Sequence, residues 1–152
     1  MRHIAIIGSG PAGYYTAEAA QKQWGDNVRV DIFDMLPVPY GLIRTGVAPD
    51  HQNTKRVTGL FDRVSGHRRF RFYLNVEIGK HLSHADLLAH HHAVLYAVGA
   101  PDDRRLDIDG MGLPGTGTAT ELVARTGDTT RLITFASCAT EATWIVIVTL
   151  AV

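Results

Sequence analysis

The sequence predicts an α/β fold, a parallel sheet with helices on its faces, and three observations carry that prediction. A β-branched run, "HIAIIG", ends in glycine and leads straight into a stretch of good helix formers, "PAGYYTAEAAQKQWG". An apolar-polar alternation, "NVRVDIFD", follows, which completes a strand-turn-helix-strand unit. The two kinds of pattern keep alternating to about residue 99, and crossovers of this kind join parallel strands with a right-handed connection.

Taken in order, "HIAIIG" is a buried strand. The helix after it is punctuated by Pro11 near its start and Gly25 at its end. In the second strand Val28, Val30 and Ile32 share one face. Residues 41–51, "GLIRTGVAPDH", are too long for a turn and not helix-periodic, so they read as a loop; ones of this length inside a compact domain are usually functional or disordered. Residues 50–67 then place Val57, Leu60, Phe61 and Val64 at i, i+3, i+4 and i+7, with Asp50 positioned to cap. This predicts one amphipathic helix over a face of the sheet. "RFRFYLNVEIG" is strand, "SHADLLAH" a short helix, and "HAVLYAVGA" a buried strand ending in glycine. Past Gly99 the chain turns rich in glycine, proline and aspartate, as a connecting segment does.

With 152 residues the chain is long enough for one domain with a real core. It is 45% hydrophobic and 20% charged, which is globular rather than disordered composition. Fifteen basic residues balance fifteen acidic ones, so charge gives no reason to expect nucleic acid or an anionic membrane as partner. The single cysteine, Cys138, permits no intrachain disulfide and fits a reducing, cytoplasmic setting. Neither the N-terminal apolar run nor the closing "TWIVIVTLAV" has the length or flanks of a signal peptide or a membrane span.

The chemistry concentrates in "GSGPAG", where Gly8, Gly10 and Gly13 have the spacing G-x-G-x-x-G between a strand and a helix. Gly8 permits the tight turn, Gly10 lets a pyrophosphate approach the backbone, and Gly13 lets helix and strand pack closely. First-turn N–H groups and the helix dipole then hold phosphate without a charged side chain. Asp34 ends the second strand twenty-one residues after Gly13, where a carboxylate accepts from adenosine ribose hydroxyls. The competing reading is a glycine turn in an unrelated fold with Asp34 on its surface. The order of strand, glycines, helix, strand and acid favours a Rossmann-type dinucleotide site. That unit serves FAD and NAD(P) alike, so these residues leave the dinucleotide open.

The other candidates carry less. His84, His90, His91 and His92 are metal-ligating types, but adjacent residues entering a strand point to opposite faces, and no metal site is assigned. Tyr14 and Tyr15 read as packing residues. A lone Cys138 argues against a flavin-linked dithiol mechanism.

The loop "DMLPVPYGLIRTGVAPDH" resembles the segment after the second strand in ferredoxin-NADP reductases of the adrenodoxin reductase and FprA type, which are glutathione-reductase-like flavoproteins. "IAIIGSGPAG", "RFRFYLNVEIG", "AVLYAVGA" and "LDIDGMGLPG" resemble further landmarks of that family in the same order, over roughly residues 3 to 125. The resemblance implies FAD as cofactor, with contacts at Gly8, Gly10, Ala12, Gly13, Asp34, Leu42 beside the flavin and Val76 near the adenine. Asp34 stands where the family usually has glutamate. His51 matches a histidine near the isoalloxazine, suited to proton exchange or nicotinamide positioning; it equally reads as part of the opening of the next helix. Arg44 is placed for a flavin edge, an acidic partner or solvent, and Arg104 matches a position that faces NADP in relatives.

The resemblance divides the chain into an incomplete FAD-binding domain at residues 1–107, a connector toward an NADP domain at 108–125, and an unassigned tail at 126–152. After about Arg125 there is no second glycine motif and no pair of arginines for a 2′-phosphate. The implied activity passes electrons between NADPH and an iron-sulfur protein such as ferredoxin through FAD. This chain is expected to be inactive alone, the alternative being a non-catalytic dinucleotide-binding fragment.

Overall fold

The computed structural model describes residues 1–47, 51–100 and 108–116. Four strands, β1 (Arg2–Ile7), β2 (Val28–Asp34), β3 (Phe70–Leu74) and β4 (Ala93–Tyr96), form one parallel sheet in the order β3-β2-β1-β4. Ile4 pairs with Val30 on one side and Ala93 on the other, which puts β1 in the middle with β2. The α/β class and the parallel sheet are as the sequence predicts.

Helix α1 (Pro11–Trp24) joins β1 to β2 and ends at Gly25, whose φ of 51° suits glycine. Its Gly13, Tyr14, Ala17 and Ala20 are buried. They meet Ile4, Ile6, Val28, Val30, Ile32 and Phe70 from one face of the sheet, with Phe61 and Val64 closing the cluster. Tyr14 lies at its centre, stacked on Phe61 with ring centroids 4.3 Å apart. Tyr15 is half exposed and touches Phe61 only edge-on. The other face carries Ala5, Ile7 and Phe33 under Leu87 of α5 (His84–His90), so the domain has three layers. A capping box starts α5: the Asp86 N–H donates to the Ser83 hydroxyl at 3.1 Å, and the Ser83 N–H returns to the Asp86 carboxylate at 2.8 Å.

Three expectations need correction. The stretch read as a structureless loop contains a one-turn helix, α2 (Leu42–Thr45), anchored by buried Ile43. The single helix expected over residues 50–67 is two, α3 (Gln52–Lys55) and α4 (Thr58–Ser65). The Thr58 hydroxyl donates to the Lys55 carbonyl at 2.8 Å, the acceptor a continuous helix would give to the Gly59 N–H, and Gly59 bonds Arg56 instead. Asp50, expected to cap, lies outside the described residues. Finally, β4 was expected buried but is mostly exposed, because among the described residues only β1 pairs with it.

Candidate functional site: the glycine turn and Asp34

The turn between β1 and α1 is held by its own backbone. The Gly8 N–H donates to the Phe33 carbonyl at 2.7 Å, tying the turn to β2. Gly8 has φ +108°, and a Cβ there would stand 2.2 Å from the Ala97 carbonyl oxygen. A Cβ on Gly13 would stand 2.2 Å from the Gly8 oxygen. These two glycines are sealed by main chain on either side of the turn.

Gly10 is the opposite case. A Cβ there would meet nothing within 4 Å. Gly10 is the N-cap of α1, and the first bond onto it comes from the Tyr14 N–H at 3.1 Å. The first-turn N–H groups of Ala12 and Gly13 precede that bond and have no intrahelical carbonyl to meet. Ala12 itself is exposed. Open space, unbonded first-turn donors and the positive end of a fourteen-residue helix coincide, which fits a pyrophosphate. The same glycine spacing recurs at Gly110, Gly112 and Gly115, where the described residues form turns; spacing without a strand and a helix around it is not a site.

Asp34 is buried, not a surface residue. Its Oδ2 accepts from the Ser9 N–H at 2.7 Å and from the Ser9 hydroxyl, and its Oδ1 accepts from the Leu36 N–H at 2.9 Å. Its backbone carbonyl takes the Val76 N–H at 2.9 Å, so Val76 sits directly beside it. Val76 also packs on the Ala5, Ile7, Phe33 and Leu87 cluster.

The loop after β2 folds back over the glycine turn. The Tyr40 N–H donates to the Ser9 carbonyl at 3.0 Å. A Cβ on Gly41, at φ +50°, would lie 2.9 Å from the Gly10 Cα. Leu42, half exposed, follows directly, so the loop brings it near the turn. Tyr40 has φ 90°, uncommon for a residue with a side chain. Its ring packs on Tyr14 and Phe61, and its hydroxyl donates to Asp62. Desolvation first, and then the Asp62 hydrogen bond, push its phenol up to about 12. Arg44 donates from Nε to the Pro39 carbonyl at 3.1 Å, with its guanidinium over the Tyr40 ring. It braces its own loop.

The structure therefore brings Gly8, Gly10, Ala12, Gly13, Asp34, Leu42 and Val76 into one region. His51 is not tied to it: it is exposed at the N-cap of α3, with no side-chain capping bond. Arg104 and Cys138 lie outside the described residues. Sequence reasoning missed Ser9 and Tyr40. Ser9 was visible inside the glycine motif, but nothing local says that its hydroxyl reaches Asp34.

The histidines serve different neighbours. His84 bonds the Tyr96 hydroxyl at 2.8 Å, and His92 Nδ1 accepts the His3 N–H at 3.0 Å. His91 lies between the Leu87 carbonyl and Asp31, at 2.9 and 3.3 Å. A groove of about 560 Å³ runs along this α5 face, lined in part by Arg29, Asp31, Phe33 and Tyr73, and none of its lining residues belongs to the glycine turn.

Strand, open glycine turn, helix and carboxylate together define a Rossmann-type dinucleotide-binding domain, and the family model of the NAD(P)-binding Rossmann-like domain matches residues 6–74. The chain is 77% identical over 121 residues to a probable ferredoxin/ferredoxin-NADP reductase of Mycobacterium tuberculosis, a match covering 80% of this chain and 21% of that protein. It is 46% identical over 121 residues to the mitochondrial NADPH:adrenodoxin oxidoreductase of Arabidopsis thaliana, covering 80% and 25%. A solved structure of Mycobacterium tuberculosis FprA in complex with NADPH matches with a TM-score of 0.76 at 42% identity, covering 81% of this chain and 28% of that one. Over about four fifths of its length the chain is thus similar to ferredoxin-NADP and NADPH:adrenodoxin reductases. It spans about a fifth to a quarter of the length of the curated relatives it matches.

Proposed function

We propose that this chain is the FAD-binding part of a ferredoxin-NADP reductase, which in a longer protein passes electrons between NADPH and an iron-sulfur protein such as ferredoxin. The observation that carries the reading is Gly10: it alone of the three motif glycines faces open space, at the N-terminus of α1. The pyrophosphate lies there against the first-turn N–H groups, and Asp34 takes the adenosine ribose. Val76 lies on the adenine side, and Leu42 borders the flavin. When bound, FAD supplies hydride acceptance and one-electron transfer. The chain's own residues bind and orient it, and His51 is proposed to exchange a proton or position the nicotinamide near the flavin.

Domain limits follow the same reading, with residues 1–107 binding FAD, 108–125 connecting and 126–152 unassigned. Among the described residues no helix is long and apolar enough to cross a membrane. A cytoplasmic setting is proposed from the single cysteine.

The test is retention of FAD against NAD by the purified chain, followed by flavin fluorescence and calorimetry. FAD is expected to be retained in preference, and preferential NAD retention overturns the reading. A second assay compares NADPH-dependent ferredoxin reduction by this chain and by a version extended with the relatives' remaining sequence. Turnover is expected only in the extended form, because holding nicotinamide against flavin supplies much of the rate. Equal turnover would place a nicotinamide site within this chain.

A further inference from the structure

We propose that Ser9 is a positioning residue that leaves the Asp34 carboxylate one free acceptor site, so that Asp34 takes a single ribose hydroxyl. This rests on the nucleotide reading above. A carboxylate offers about four lone-pair sites over its two oxygens. The Ser9 N–H, at 2.7 Å, and the Ser9 hydroxyl both donate to Oδ2, and the Leu36 N–H donates to Oδ1 at 2.9 Å. Oδ2 is full. The remaining lone pair is on Oδ1.

The arrangement is locked from both ends. Ser9 has no exposed surface, so its hydroxyl has no water to turn to if the carboxylate rotates away. Its carbonyl is held by the Tyr40 N–H at 3.0 Å, which ties the serine to the loop folded over the turn. Leu36 lies two residues past Asp34, and its amide fixes the other oxygen. Presenting both oxygens to a ribose would strand a buried hydroxyl. The chain thus reads one hydroxyl at this position, and Ser9 decides which oxygen reads it.

The experiment is calorimetric titration of the full chain with ADP, 2′-deoxy-ADP and 3′-deoxy-ADP, ADP being common to FAD and NAD. Wild type should bind one deoxy analogue about tenfold or more weakly, the loss of one bond to a charged acceptor, and the other within about twofold of ADP. In Ser9→Ala the two analogues should come to within about twofold of each other. Equal losses for both analogues in wild type, or an unchanged preference in Ser9→Ala, overturn the proposal. If folded wild type binds no form of ADP, the nucleotide reading fails and the ribose role fails with it. A double-mutant cycle in urea unfolding with Ser9→Ala and Asp34→Asn then reads the contact without ligand: coupled effects uphold the positioning of Asp34 by Ser9, and additive effects overturn that as well.

Discussion

Gly13 sits so close to Gly8 that a Cβ on Gly13 would stand 2.2 Å from the Gly8 carbonyl oxygen. The atom in the way is backbone, which cannot step aside as a side chain could. Gly13→Ala should therefore cost on the order of 1–3 kcal/mol or more through displacement of α1. Gly8→Ala adds a strained φ to a similar clash. Gly10→Ala meets nothing and has φ −80°, so its stability should stay within about 1 kcal/mol of wild type while FAD affinity falls. Urea unfolding beside flavin titration separates the three. A Gly10→Ala chain that binds FAD as wild type does would place the phosphates elsewhere.

Tyr14 is fully buried among Phe61, Phe70 and Tyr40, and its hydroxyl has no hydrogen-bond partner among the described residues. Burial pushes this phenol far above its ordinary range. Tyr14→Phe keeps the ring stack and removes the unpaired hydroxyl. Stability should rise by about 1 kcal/mol, seen as a higher urea midpoint at unchanged slope. A loss of that size would show that the hydroxyl has a partner.

The Tyr40 phenol, held near 12 by desolvation and the Asp62 hydrogen bond, gives stability an alkaline limit. An unfolded tyrosine loses its proton near pH 10, whereas the folded one keeps it. Above pH 10 the unfolded state binds fewer protons, so stability falls as pH rises toward 12. The contribution is intact below pH 10. Tyr14, shifted in the same direction, adds to the fall. Unfolding midpoints measured from pH 8 to 11.5 should decline beyond about pH 10, less steeply in Tyr40→Phe. An identical slope in that variant would remove Tyr40 as a source.

Arg29 grips Asp31 with two nitrogens, each at 2.9 Å, on a carboxylate only 5% exposed. Arg29→Ala leaves that charge buried with His91 as its remaining side-chain partner, and should cost about 3 kcal/mol. The Arg68–Asp26 pair is comparably short, 2.8 Å, but both side chains are more than half exposed. Arg68→Ala should change stability immeasurably. Equal urea midpoints for the two variants would show that burial does not set the worth of the Arg29 contact.

The glycine motif was legible because its neighbours in sequence are its neighbours in space. Strand β1, turn and α1 are consecutive, and Gly8 and Gly13 act within one hairpin of chain. Asp34 was found by its distance from the glycines, but the bonds that hold it were not. The hydrogen bonds that fix it come from Ser9, twenty-five residues away, and from Leu36. The break between α3 and α4 escaped the apolar spacing because that spacing counts only Val57, Leu60, Phe61 and Val64. It is silent on Thr58, whose hydroxyl takes the Lys55 carbonyl.

The sequence by itself determined the parallel α/β order, the ends of α1 and the glycine turn, since period, propensity and φ-tolerance act over a few residues. Tertiary structure decided how much space the turn leaves open and which acceptors its acid keeps. Whether β4 is covered depends on which strand lies beside it, and among the described residues only β1 does. Which glycine opens outward depends on the Ala97 carbonyl closing the side of Gly8 where a Cβ would stand, while the corresponding space at Gly10 stays empty. How many lone pairs Asp34 keeps depends on a serine that reaches it only when β1 and β2 pair. Free space and free acceptors are what remains after distant chain segments have packed, and no local pattern records that remainder.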